Sequence, residues 1–261
     1  ISASENKGEI TGSTNLGGIV GSVGIEIDFD PDGDTTKVGD YSLNFHYQTR
    51  ALLSGCTNSG AVTGRNDYAG GIVGQAYIGQ ITDCQSYGAV STDGSYVGGI
   101  VGRMDLGYLT ACETSSCTIT NENGSYTGGI AGLTGATVHG SFSKCTLSGK
   151  KYVGGIVGSG VQENVDGSGS TVSWNYSLVD ITDCQQYQGA ISGSDTGTFE
   201  HNYYVSDDLP GINRQGYTGR AEPISYAELL TLPDLPESMK SFTLTFVADD
   251  KTVLSRAFNY G

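Results

Sequence analysis

One pentapeptide recurs along this chain and limits what it can fold into. Gly17-Gly18-Ile19-Val20-Gly21 returns at 70–74, 98–102, 128–132 (with Ala131 for Val) and 154–158, at start-to-start spacings of 53, 28, 30 and 26. Four copies follow a tyrosine at a fixed offset, Tyr68, Tyr96, Tyr126 and Tyr152; the first copy has Asn15 there. A second element lies between the copies: Cys56-Thr57-Asn58-Ser59-Gly60-Ala61-Val62-Thr63-Gly64, again from Cys84 to Ser91, and in a related form from Cys184 to Gly193. Ser4 to Gly12 is the same element with Ser in place of Cys. A short apolar entry precedes the cysteine, as in Ile81-Thr82-Asp83-Cys84, Leu109 to Cys112 and Ile181 to Cys184.

Each repeat therefore holds three strand-sized apolar pieces joined by Gly-rich corners, where glycine accepts positive φ without steric cost. A period of 26–30 residues leaves no room for a βαβ unit, and no repeat shows a 3.6-residue apolar period. Short strands repeated in this way predict an all-β parallel β-helix, a solenoid of about five to six rungs stacked at one strand spacing per rung. Strict alternation buries Val73 and exposes Ile72, a bulge at the glycine pair reverses that, and both readings stay open.

The Tyr-x-Gly-Gly-Ile-Val-Gly core, followed by a Cys-x-Asn-x-Gly-x-Val-x-Gly element, resembles the GLUG repeat over roughly residues 1–205. That repeat occurs in bacterial surface proteins and adhesins, and in non-catalytic regions of IgA-specific metallopeptidases. The resemblance implies an extracellular bacterial protein, secreted or at the cell surface. It implies no activity.

Two repeats are longer than the rest. The interval from the glycine pair to the next cysteine is 14 residues after Gly70 and Gly98 and 17 after Gly128, but 39 after Gly17 and 30 after Gly154. Insertions at about 25–50 and 161–179 are therefore expected at one corner of the solenoid, four steps apart, as two walls along one edge. The first carries Tyr41, Phe45 and Tyr47, and the second carries Trp174 and Tyr176. Aromatic side chains on loops suit recognition of sugars or proteins, and these five residues are the candidate ligand-binding set. The alternative is that they fold back over the core.

Asp28, Asp30, Asp32 and Asp34 resemble the opening of a calcium loop, with Gly33 at the turn, so Ca2+ is the candidate metal. Gly39 stands where an EF-hand places its glutamate, and Pro31 is unusual in such a loop; a solvated acidic loop is the competing reading. Five of the six cysteines fall near one repeat position and read as an inward ladder of free thiols, with a Cys112–Cys117 disulfide as the alternative.

A net charge of −15 opposes nucleic acid and anionic membranes, and no apolar run is long enough to insert in a bilayer. The chain contains no H-E-x-x-H, G-x-S-x-G or Walker A motif, and Asp83 and Asp183 lie three repeats apart, too far for a glycosidase pair. No catalytic role is expected.

After residue 205 the repeats end. Ser225 and Glu228 form a capping box for a short helix within a capping segment, 206–240, expected on the last rung. Residues 241–261 alternate as a β-hairpin, read as the start of a further β-domain. The expected whole is a monomeric surface adhesin binding a host or cell-wall glycan or protein; a structural stalk is the alternative, and a carbohydrate-active enzyme a third.

Overall fold

The computed structural model describes residues 1–24, 52–164, 167–213, 218–248 and 251–259. Those residues are all-β: a 15-stranded and a 9-stranded sheet, both parallel, and one antiparallel hairpin. Two four-residue helices, α1 (Tyr226–Leu229) and α2 (Glu237–Lys240), lie before the hairpin.

Each strand pairs with its equivalents in the repeats before and after it. Gln85 sits between Thr57 and Glu113, Val90 between Val62 and Ile119, and Val97 between Ala69 and Thr127. Val101 sits between Val73 and Ala131, and Leu109 between Ile81 and Val138. The three apolar pieces expected per repeat are thus five strand positions. The cysteine element supplies the first and second, the glycine core the third and fourth, and the Ile-Thr-Asp entry the fifth.

The question of Ile72 against Val73 resolves in favour of both. Each is fully buried, as are Ile100 and Val101, Ile130 and Ala131, and Ile156 and Val157. The chain turns between them, because both amides donate to one carbonyl of the neighbouring repeat: Ile72 and Val73 to Ile100 O, at 3.0 and 2.9 Å. The same paired bond recurs at Ile19, Ile100, Ile130 and Ile156. The last of these bonds to Ile191 exposes a copy missed in the sequence. Gly189 pairs with Gly154, so Tyr187 to Gly193 is a sixth glycine core, not the second half of a cysteine element.

Glycine does not make the main corners, contrary to expectation. Two corners per repeat are turned by residues of left-handed φ, mostly non-glycine. One is the tyrosine column: Asn15, Tyr68, Tyr96, Tyr126, Tyr152 and Tyr187, with φ between 55° and 72°. The other lies just before the cysteine position: Ala3, Gly55, Asp83, Ala111, Gly140, Trp174 and His201, with φ between 46° and 62°. An L-residue in that region costs about 1–2 kcal/mol. In the tyrosine column the rings stack at 4.8–5.2 Å with interplanar angles of 7–17°. Each stacked pair contributes about 0.5–1.5 kcal/mol, which offsets the backbone cost. The paired glycines serve close approach instead: a Cβ on Gly71 would overlap the Gly99 carbonyl and Ser86 Oγ.

The cysteines divide. Cys56, Cys84 and Cys112 share one inward column, which continues as Ser141, Asn175 and Asn202. Their thiols donate to the carbonyl two residues back, at 3.6, 3.3 and 3.4 Å, and Ser141 Oγ does the same at 3.3 Å. Cys117 and Cys145 belong to a second, separate core with Val62, Val90, Ile119 and Leu147, so three cysteines share the column, not five. That separation also removes a Cys112–Cys117 bridge; all six cysteines are free.

Ala221–Pro223 pairs with Asn202–Tyr204 as one more parallel strand, so the ladder runs past residue 205, while the two helices that follow lie against the flank of the stack and not on its last strand. Leu229, Leu235 and Met239 pack with Phe142, Tyr176 and Leu178, while Leu209, Ile212 and Ala221 join the main core. The Ser225–Glu228 capping box is present, and α1 is a single turn.

Gly71→Ala should destabilise the protein by about 3 kcal/mol through overpacking. Gly140→Ala should cost about 1 kcal/mol, since its Cβ meets nothing within 4 Å and Ala111 already occupies the same column at φ 50°. Denaturant midpoints of the two variants measure the contrast.

Candidate functional site

A cleft of about 760 Å³ runs along the flank where the second corner column meets the first strand position. Its floor steps from repeat to repeat through Asp83 and Gln85, then Ala111 and Glu113, then Gly140 and Phe142, then Trp174 and Tyr176. Leu232, Pro233, Asp234 and Pro236, between α1 and α2, form the opposite wall.

Aromatic rings dominate the end near Trp174. Phe142, Tyr176 and Tyr203 occupy one strand position in successive repeats and stack at 5.3 and 5.4 Å. Trp174, at the left-handed corner, stacks on His201 at 4.7 Å and remains 44% exposed. The Tyr203 ring lies 6.4 Å away, tilted by 52°. His139 lies on the same floor, with Nδ1 3.1 Å from Ser173 Oγ. Asp83 and Asp234 are exposed carboxylates at the other end and opposite wall.

The wall is clamped in place by two charged side chains. Glu113, only 6% exposed, accepts hydrogen bonds from Ser238 Oγ, Ser115 Oγ (3.2 Å) and Gln85 Nε2 (3.5 Å). Lys144 donates to the carbonyls of Ser238 (2.9 Å) and Ser241 and lies 4.4 Å from the centre of the Phe242 ring. Burial holds the Lys144 ammonium below its ordinary pKa. Tyr226 Oη donates to Met239 O at 2.8 Å and closes the helix pair.

The second insertion is shorter than expected. Residues 171–173 and 176–177 are strands of the parallel ladders, so the excursion covers 161–170. Trp174 and Tyr176 therefore sit on the stack itself, and the cleft brings them together. The first insertion leaves the same corner, between Val23 and Leu52, as the second does between Gly160 and Thr171. Tyr41, Phe45 and Tyr47, and the calcium candidates Asp28, Asp30, Asp32 and Asp34, lie outside the described residues. Among the described residues, no group of three or more His, Cys, Asp or Glu is placed to hold a metal ion, and no helix is long and apolar enough to cross a membrane.

Sequence reasoning missed Phe142, His139, Glu113 and the 232–236 wall. Phe142 was hidden because Ser141, not Cys145, continues the cysteine column; aligning on cysteine shifts the fourth repeat by four residues. No family model matches the chain, and comparison with curated proteins and with solved structures finds no match.

Removing the Glu113 carboxylate leaves Ser238 without its acceptor, so Glu113→Ala should cost about 1.5–3 kcal/mol locally. Hydrogen exchange across residues 226–241 should accelerate while the parallel strands stay protected.

Proposed function

We propose that this chain is a parallel β-solenoid acting as a non-catalytic, extracellular glycan-binding module of a bacterial surface protein. The exposed Trp174, beside the stacked Phe142–Tyr176–Tyr203 column in an open cleft, is the observation that carries this reading. Aromatic faces receive the C–H faces of sugar rings, and the carboxylates and amides on the floor suit hydroxyl groups. An extended polysaccharide lying along the cleft would cross successive repeats, meeting Asp83 and Gln85 at one end and the rings of Phe142, Trp174 and Tyr176 at the other. The net charge of −15 favours neutral over anionic glycans.

Recurrence of the same five strand positions supports the solenoid, and eight strands in one ladder give a stack of about 34 Å. The likeness of the repeat to GLUG repeats supports a surface location. We assign the chain as a monomer in this role, with no part for nucleic acid or membrane insertion. Calcium binding through Asp28, Asp30, Asp32 and Asp34 is part of the same proposal, as a site separate from the cleft.

A glycan array run with and without calcium tests the binding role. Neutral cell-wall or host glycans should bind, and Trp174→Ala should weaken the best hit roughly tenfold or more, equivalent to about 1.4 kcal/mol. Equal binding by the folded variant removes the cleft from the interaction. A blank array with the folded protein would favour a structural stalk.

A further inference from the structure

We propose that Cys117 and Cys145 are a redox-active pair that closes to a disulfide between neighbouring repeats. The two cysteines belong to adjacent parallel strands, Glu113–Gly128 and Phe142–Gly154. Ser115 pairs with Lys144 and Thr118 with Thr146, so Ser116 and Cys117 together stand opposite Cys145 alone. This is a β-bulge, with Ser116 at φ 56°. Neighbouring strands lie about 4.8 Å apart, inside the Cα separation a disulfide spans.

The bulge distinguishes this pair from the cysteine column. Cys84 and Cys112 stand side by side with no inserted residue between the flanking pairs, Thr82–Thr110 and Gln85–Glu113, whereas at Cys117 the extra residue Ser116 changes the backbone direction immediately before the pair. Their thiols are engaged with the Thr82 and Thr110 carbonyls, and both residues are fully buried. The bulge turns the strand locally at Cys117, and Cys117 and Cys145 each keep 6% exposure, enough for a small oxidant.

Electrostatics assigns the roles. Burial raises the Cys145 thiol, but hydrogen bonds from the Cys117 and Thr114 side chains outweigh it and leave Cys145 below its ordinary pKa. Cys117 is pushed well above, chiefly by that same contact with Cys145 and by burial. Reactivity alone does not separate the two pairs, since the bond from Cys112 brings Cys84 down to about 7; geometry and access do. With hydrogen peroxide as oxidant, the Cys145 thiolate attacks one peroxide oxygen, the O–O bond breaks, and the released hydroxide takes a proton to leave as water. Cys117 then attacks the sulfur of the Cys145 sulfenic acid, giving up its proton and displacing a second water. Two thiols lose two electrons in all, and peroxide gains them.

The closed bridge ties together the strands bearing Glu113 and Lys144, the two residues that clamp the cleft wall, so oxidation stiffens the platform on which that wall rests.

The test is peptide mapping of the folded protein after treatment with hydrogen peroxide, with all free thiols alkylated under denaturing conditions. The expected result is one disulfide, Cys117–Cys145, with Cys56, Cys84, Cys112 and Cys184 alkylated. A rise in Tm of roughly 4–10 °C, reversed by dithiothreitol, should accompany it. Cys84→Ser should leave the bridge intact, and Cys117→Ser should abolish it. Wild-type mapping decides the matter even where a variant fails to fold. A Cys84–Cys112 bridge, Cys145 oxidised to sulfinic acid without a bridge, or six alkylated cysteines would each overturn the proposal.

Discussion

Main-chain hydrogen bonding between equivalent residues of successive repeats is the constraint on which everything else in this molecule depends. A strand position only two or three residues long, such as Gln85–Ser86 or Val90–Thr92, has no stability by itself. It persists because the repeats on both sides present the same groups in the same register. The paired amides of Ile72 and Val73 on one carbonyl illustrate this. An irregularity that would disrupt an isolated sheet is copied in each repeat and so fits its neighbours.

That copying explains two choices that contradict simple residue preferences. Tyrosine is a poor left-handed residue, yet it holds that conformation at five successive corners. The corner conformation brings each ring over the next, and stacking supplies what glycine lacks. Cysteine, serine and asparagine are chemically unlike, yet they follow one another in the inward column. What the position requires is a compact side chain that donates a hydrogen bond to a nearby carbonyl, and all three do so.

The parallel, repeating character of the fold was legible in the sequence because the glycine core recurs with little change. The corner conformations were not, since left-handed φ at Tyr96 depends on the stacked neighbours and leaves no local signature. The sixth core, Tyr187 to Gly193, escaped because Ala190 and Ser192 replace two of its defining residues while its bonding to Ile156 and Val157 is preserved. The cleft was half legible. Trp174 and Tyr176 stood out as aromatics in an irregular stretch, although the structure places them on the stack itself. Phe142 and the 232–236 wall were invisible. The first depends on correct register through Ser141, and the second on docking of a segment about 90 residues further along the chain.

The corner columns have a consequence for how such a chain changes over time. A cut made at Tyr96 and rejoined at Tyr126 deletes one whole unit, and the severed ends meet partners of the same backbone shape, the same ring and the same pair of amides. Removing a single residue from within a strand position instead breaks its register with the repeats on both sides, whereas the intervals of 26, 28 and 30 residues show that the stretches between positions absorb small changes in length. The length of the stack is nonetheless quantised. The genetic events that change it are unequal exchanges between like segments of the gene, and the reach of the molecule can be adjusted in steps of one strand spacing without redesigning any contact.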